Sequence, residues 1–180
     1  FVLHLFSGQR RSGDFQDHFE RCTKRSQFPV WVLSLDIAND RVRGDLTNPD
    51  TLHFWMDMFV QGKAIAVVGG PPCETWSAAR SINADGPPPL RSREFPWGLP
   101  ALSPKYHEQT RLANALLHTM VTFLYLAVGT NRAAIMEHPA EPTWAPAVMS
   151  SWQLLVLKHI RSIGNIRCNY LDQCTVGTLY

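Results

Sequence analysis

The 180 residues are enough for one domain of ordinary size, and with 45% of them hydrophobic the chain can bury a real core. Seventeen Lys and Arg against fifteen Asp and Glu leave a net charge of only +2, which neither demands nor excludes nucleic acid, because a local basic patch matters more than the total. Four cysteines (22, 73, 168, 174) form no C-x-x-C pair, no signal-peptide pattern is present, and no apolar stretch near membrane-spanning length is free of polar breaks. These features point to a reducing intracellular setting and away from a disulfide scaffold or a membrane protein.

The chain opens inside a strand-like run and without Met, so it is expected to be part of a longer polypeptide. Strands are predicted over residues 1–6, 31–37, 64–69, 133–137 and 166–171, alternating with helical patterns. That alternation predicts an α/β fold, a mostly parallel sheet with helices on both faces. After the first strand, Phe6-Ser7-Gly8 begins a glycine-bounded turn to Gly13 that leads into a helix. After the second, Asp36 ends an apolar run, and Gly44-Asp45-Leu46-Thr47 brings another acid. Asn48-Pro49 reads as an N-cap with proline at the first helical position, starting a helix that ends near Gln61. Ser103-Pro104 repeats the device for a long helix ending near Gly129, and a last helix is predicted over 151–163 with Gly164 past its end.

The strongest local signal follows the third strand. Gly69-Gly70-Pro71-Pro72-Cys73-Glu74-Thr75-Trp76-Ser77 delivers a thiol from a rigid Pro-Pro corner at a strand end, a position suited to nucleophilic chemistry. A buried structural thiol is the plainer reading. Residues 74–102 then carry so many prolines and glycines that regular structure is excluded, and a loop of that length inside a compact domain is usually functional. Its arginines, Arg80, Arg91 and Arg93, are candidates for phosphate contacts or for a merely solvated face. Glu137 closes the fourth strand, as a capping acid or as a site residue. His138 beside it is either a loop residue or an aid to proton removal.

Phe6-Ser7-Gly8, Asp36, Gly44-Asp45-Leu46-Thr47 and Pro71-Pro72-Cys73-Glu74-Thr75-Trp76-Ser77, in this order and at these gaps, resemble the S-adenosylmethionine-dependent DNA (cytosine-5) methyltransferases. The resemblance spans nearly the whole chain and implies a Rossmann-like methyltransferase fold, a single catalytic domain over 1–180 that is incomplete at its C-terminal end, and no target-recognition region. It implies that Phe6, Ser7, Gly8, Gly13, Asp36, Ile37, Asp45, Leu46 and Pro71 hold S-adenosyl-L-methionine. Cys73 would be the nucleophile and Glu137 the catalytic acid, while Ser77 and Arg80 would contact nucleic acid. The partner would be DNA, with RNA open because the same chemistry serves cytosine in either polymer. No metal is implied, and the setting would be nuclear in a eukaryote. The loop after Cys73 is expected to close over an extruded base.

The chain departs from the family pattern at His4, at Arg10-Arg11 inside the glycine turn, at Glu74, at Glu137-His138-Pro139 where the family usually has Glu-Asn-Val, and at Asp172-Gln173-Cys174. An amino-methyltransferase would need an aromatic residue after the Pro-Pro pair, and Cys73 argues against it. A degenerate, non-catalytic domain of a larger mobile-element or phage-like polyprotein is the other reading.

Overall fold

The computed structural model describes residues 1–81, 86–145, 148–163 and 165–171. Four short strands, β1 (Val2–Leu5), β2 (Val32–Leu35), β3 (Ala66–Gly69) and β4 (Ala133–Met136), pair entirely in parallel in the order β2-β1-β3-β4. Helices connect them: α1 (Phe15–Thr23), α2 (Pro49–Val60) and α3 (Pro104–Thr130), with α4 (Leu155–Arg161) after β4. The α/β class is as the sequence predicts.

Side chains alternate across the sheet, so one face carries Leu3, Leu5, Leu35 and Val67 and the other carries His4. The first set is buried with Trp55 and Phe59 of α2 and Met120 and Phe123 of α3 in the main core. His4 instead meets the Phe15 ring of α1 at 4.8 Å. Helices therefore cover both faces, α1 on one and α2 with α3 on the other.

Local signals account for the helix starts. Asn48 Oδ1 accepts from the N–H groups of Asp50 and Thr51, capping α2 ahead of Pro49. Ser103 occupies the same place before α3 without a side-chain cap bond. The helix α3 ends at Thr130, one residue past Gly129, where Asn131 takes a left-handed conformation, φ 53°. The segment predicted as one helix over 151–163 is divided. A 3₁₀ turn, Ser151–Gln153, is capped reciprocally by Ser150 and Gln153, and extended Leu154 separates it from α4.

One sequence expectation is corrected. Residues 166–171 form no strand, because β4 is an edge of the sheet and this segment makes no ladder to it. By length and composition alone α3 could cross a membrane, its apolar 18-residue window having a mean hydropathy of 1.5. Part of its apolar surface packs inside the protein: Met120 and Phe123 are fully buried in the main core, while Leu117 and Val121 pack with Trp76, Leu157 and Ile160 in a second cluster. Gly164 and Asp172-Gln173-Cys174 lie outside the described residues.

Candidate functional site

The sheet register assembles the site. Leu5, Leu35, Gly69 and Met136 stand in one row, so Phe6, Asp36, Gly70 and Glu137 form the next row, just past the C-terminal ends of all four strands. Two bonds continue the ladder into that row, Phe6 N–H to Leu35 O at 2.9 Å and Glu137 N–H to Gly69 O at 3.0 Å. From β1 the chain crosses to β2 on one side and later to β3 on the other. Loops after β1 and β3 thus part at a topological switch point, where open α/β sheets bind ligands.

On the β1 and β2 side, a compact turn ties the two strand ends together. Phe6 holds a left-handed backbone, φ 57°, uncommon without glycine, and Gly8 follows at φ 66°. Gly8 N–H donates to Asp36 Oδ2 at 3.0 Å, Ala38 N–H donates to Oδ1 at 2.9 Å, and Asn39 Nδ2 donates to Gly8 O at 2.8 Å. A β carbon on Gly8 would meet nothing within 4 Å, so backbone is bare there. Gly13 (φ 76°) donates its N–H to Asp17 of α1, and Arg10, in the glycine turn, pairs with the α1 cap residue Asp14 at 2.6 Å. Gly44 is packed so tightly that a β carbon would overlap the Asp36 carbonyl.

The remaining expected cofactor residues divide. Ile37 is exposed and Pro71 is buried beside the Cys73 corner. Asp45 Oδ1 accepts from both the N–H and the hydroxyl of Thr47, an Asx turn that occupies one of its oxygens. The Leu46 side chain is buried in the main core with Leu35 and Trp55.

On the β3 and β4 side, Cys73 and Glu137 line one cleft of about 890 Å³, with His138, Arg161, Arg167 and Tyr170. Gly70 permits the approach: a β carbon there would stand 2.8 Å from Glu137 Oε2. The Cys73 thiol is raised above its ordinary range, first by burial, then by the Glu137 charge and that of Glu74. It is therefore a protonated thiol at neutral pH, and a base or substrate-coupled proton transfer must accompany attack.

The described part of the loop after Cys73 is anchored at Trp76, Arg80 and Arg91. Trp76 N–H donates to Cys73 O at 2.8 Å, closing a turn, and the Trp76 ring is buried. Arg91 lies over that ring at 3.5 Å and donates to Thr75 O, Thr75 Oγ1, Pro96 O and Asn114 Oδ1. Burial lowers its pKa to about 9, with the nearby Arg80 charge adding to the effect. Arg80 donates to Glu74 O, Pro88 O and Gln109 Oε1. The sequence offers both arginines either to phosphates or to a solvated face. Both are buried instead, because a proline-rich loop leaves many carbonyls without partners and a guanidinium can satisfy several at once. Arg93 is exposed, and Ser77 Oγ accepts from Ala79 N–H at 3.2 Å.

His138 is the residue whose role the sequence leaves most open. It is buried, its Nδ1 lies 2.8 Å from Ser151 Oγ, and the rings of Trp76 and Trp152 approach it edge-on. Trp152 Nε1 donates to Pro139 O at 2.8 Å, so the 3₁₀ turn clamps the backbone directly behind Glu137. Burial, then the Arg91 charge, pushes the His138 pKa down to about 4, and the imidazole is neutral. Among the described residues no group of three or more His, Cys, Asp or Glu side chains could hold a metal ion.

No family model, curated protein or solved structure matches this chain.

Proposed function

We propose that the chain is an S-adenosylmethionine-dependent methyltransferase domain of Rossmann-like fold that acts on C5 of cytosine in nucleic acid, with Cys73 as nucleophile and Glu137 as the acid. The observation that carries this reading is the pairing of Cys73 and Glu137 in one cleft past adjacent parallel strand ends, with Gly70 leaving the space for the carboxylate.

Cytosine C5 is a weak nucleophile. As Cys73 Sγ bonds to C6 its thiol proton passes to the Glu137 carboxylate, the C5–C6 π electrons move onto C5, and the charge that spreads toward N3 is relieved by that same proton shared from Glu137, a contribution of roughly 10²–10⁴-fold for a well-placed acid. Loss of the C5 proton to solvent water re-forms the C5–C6 double bond as the S–C6 bond breaks, and the leaving thiolate recovers its proton from Glu137. A base stacked inside a duplex cannot present C6, so the target must be extruded or already single-stranded.

S-adenosylmethionine, when bound, supplies the methyl group. The turn after β1 fits such a ligand: Gly8 exposes backbone at the switch point, and Asp36 has two of its roughly four acceptor positions occupied, leaving the others for ribose hydroxyls. Asp36→Ala is expected to weaken cofactor binding by about ten- to a hundredfold in calorimetry, the loss of a charge-assisted hydrogen bond.

The reaction is tested with a single-stranded oligonucleotide containing 5-fluorocytosine, incubated with S-adenosylmethionine. The expected result is a covalent complex that survives denaturation and disappears in Cys73→Ala. Cofactor binding without any Cys73-dependent complex overturns the catalytic reading in favour of a domain retained for fold or nucleic-acid binding.

A further inference from the structure

We infer that α4 is the ridge of a track for single-stranded nucleic acid leading into the Cys73 cleft, an inference that rests on the reading above and names its substrate form. The buried Arg80 and Arg91 cannot make the phosphate contacts that such a substrate requires. Other cations stand where they can.

Lys158 and Arg161 are both exposed in the last turn of α4 and are three residues apart, which puts them on neighbouring parts of one helix face. Arg161 lines the Cys73 cleft together with Arg167. Lys158 lines a second groove, of about 710 Å³, together with the exposed Arg93. Glu141 belongs to both linings, so the two hollows adjoin across α4. Its charge is opposed by Arg161 at 3.9 Å. Among the described lining residues, Lys158, Arg161 and Arg167 stand against Glu141 and the site's own Glu137, an excess of one positive charge along the path from groove to cleft, the complement of a phosphate backbone.

The rings along this path favour unpaired bases. Trp97 in the second groove is 40% exposed and stacks with the exposed His118 at 4.8 Å and 17°. Tyr170, in the cleft, is 82% exposed. Base–aromatic stacking needs a ring face that a base can reach, and bases enclosed in a duplex cannot reach it.

The test is fluorescence anisotropy of a labelled, mixed-sequence single strand of about 16 nucleotides, titrated at several salt concentrations. Wild-type chain is expected to bind at about 50 mM salt, and more weakly as salt rises. Lys158→Ala/Arg161→Ala is expected to lose at least about tenfold in affinity and to flatten the log–log salt slope by roughly 1.4, two contacts at about 0.7 each. Lys158→Gln/Arg161→Gln, which keeps most of each aliphatic stem, is expected to behave alike and guards against an unfolded variant. Unchanged affinity and slope in a folded double variant overturns the track, as does absence of wild-type binding or equal affinity for a duplex of the same length. If the 5-fluorocytosine complex never forms while the double variant loses binding, the reaction is wrong and the track stands. A complex that forms while the double variant binds like wild type rejects the track alone.

Discussion

Gly70 and Glu137 share one space: a β carbon on residue 70 would lie 2.8 Å from Glu137 Oε2. The carboxylate reaches toward the Cys73 corner because the neighbouring strand carries no side chain there. Gly70→Ala is expected to swing the carboxylate aside at small cost in stability, since the atom in the way is the far end of a flexible side chain. Its thermal midpoint should stay within a few degrees of wild type while formation of the 5-fluorocytosine complex falls severely. A variant that traps as well as wild type would separate Glu137's position from its role.

Glu137→Gln should make Cys73 more reactive toward a simple alkylating agent. The carboxylate charge helps to hold the thiol in its protonated form, and removing it lowers the thiol pKa, so more thiolate exists at a given pH. Iodoacetamide labelling at about pH 8, followed by peptide mass spectrometry to separate Cys73 from the exposed Cys22 and Cys168, should show a several-fold faster rate at Cys73. The same variant should form the covalent cytosine complex more slowly, because the proton donor is gone. Slower alkylation would show that Glu137 does not act on the thiol electrostatically.

Acid should unfold the protein partly through His138. An ordinary histidine titrates near 6.5 and this one at about 4 in the fold, so the unfolded chain binds this proton first and stability falls as pH drops from about 6.5 toward 4. The full effect is on the order of 3 kcal/mol and is present above about pH 6.5. The difference between wild type and His138→Asn in urea unfolding across this range should isolate it. Parallel pH curves would remove His138 as the cause.

Arg91→Met is expected to cost about 3 kcal/mol in urea unfolding, because it strands acceptors at Thr75, Pro96 and Asn114 and removes the cation from the Trp76 face. Arg91→Lys should recover only part, since a single ammonium cannot serve acceptors spread around a planar fork. Loss of oligonucleotide binding without loss of stability would instead return Arg91 to the surface role that the sequence suggests for it.

Local chemistry along the chain is enough for the elements and for the thiol's place among them. Apolar runs too short for helices mark β1 to β4, Asn48-Pro49 marks the start of α2, and Pro71-Pro72 marks a corner after β3, all through interactions within a few residues. Register decided the rest of the site. Only parallel pairing of β3 with β4 brings Glu137 beside Gly70, across more than sixty intervening residues. Burial was the least legible quantity: Arg80 and Arg91 read as surface cations until the carbonyls of a distant loop and the ring of Trp76 are in place around them. The burial of the Leu46 side chain was likewise out of sight until α2 packed beside it. The basic turn of α4 lay in plain view as Lys158-His159 and Arg161, but its place between the two hollows depends on α4 packing through Leu157 and Ile160 against the outer side of α3, a contact that no local pattern encodes.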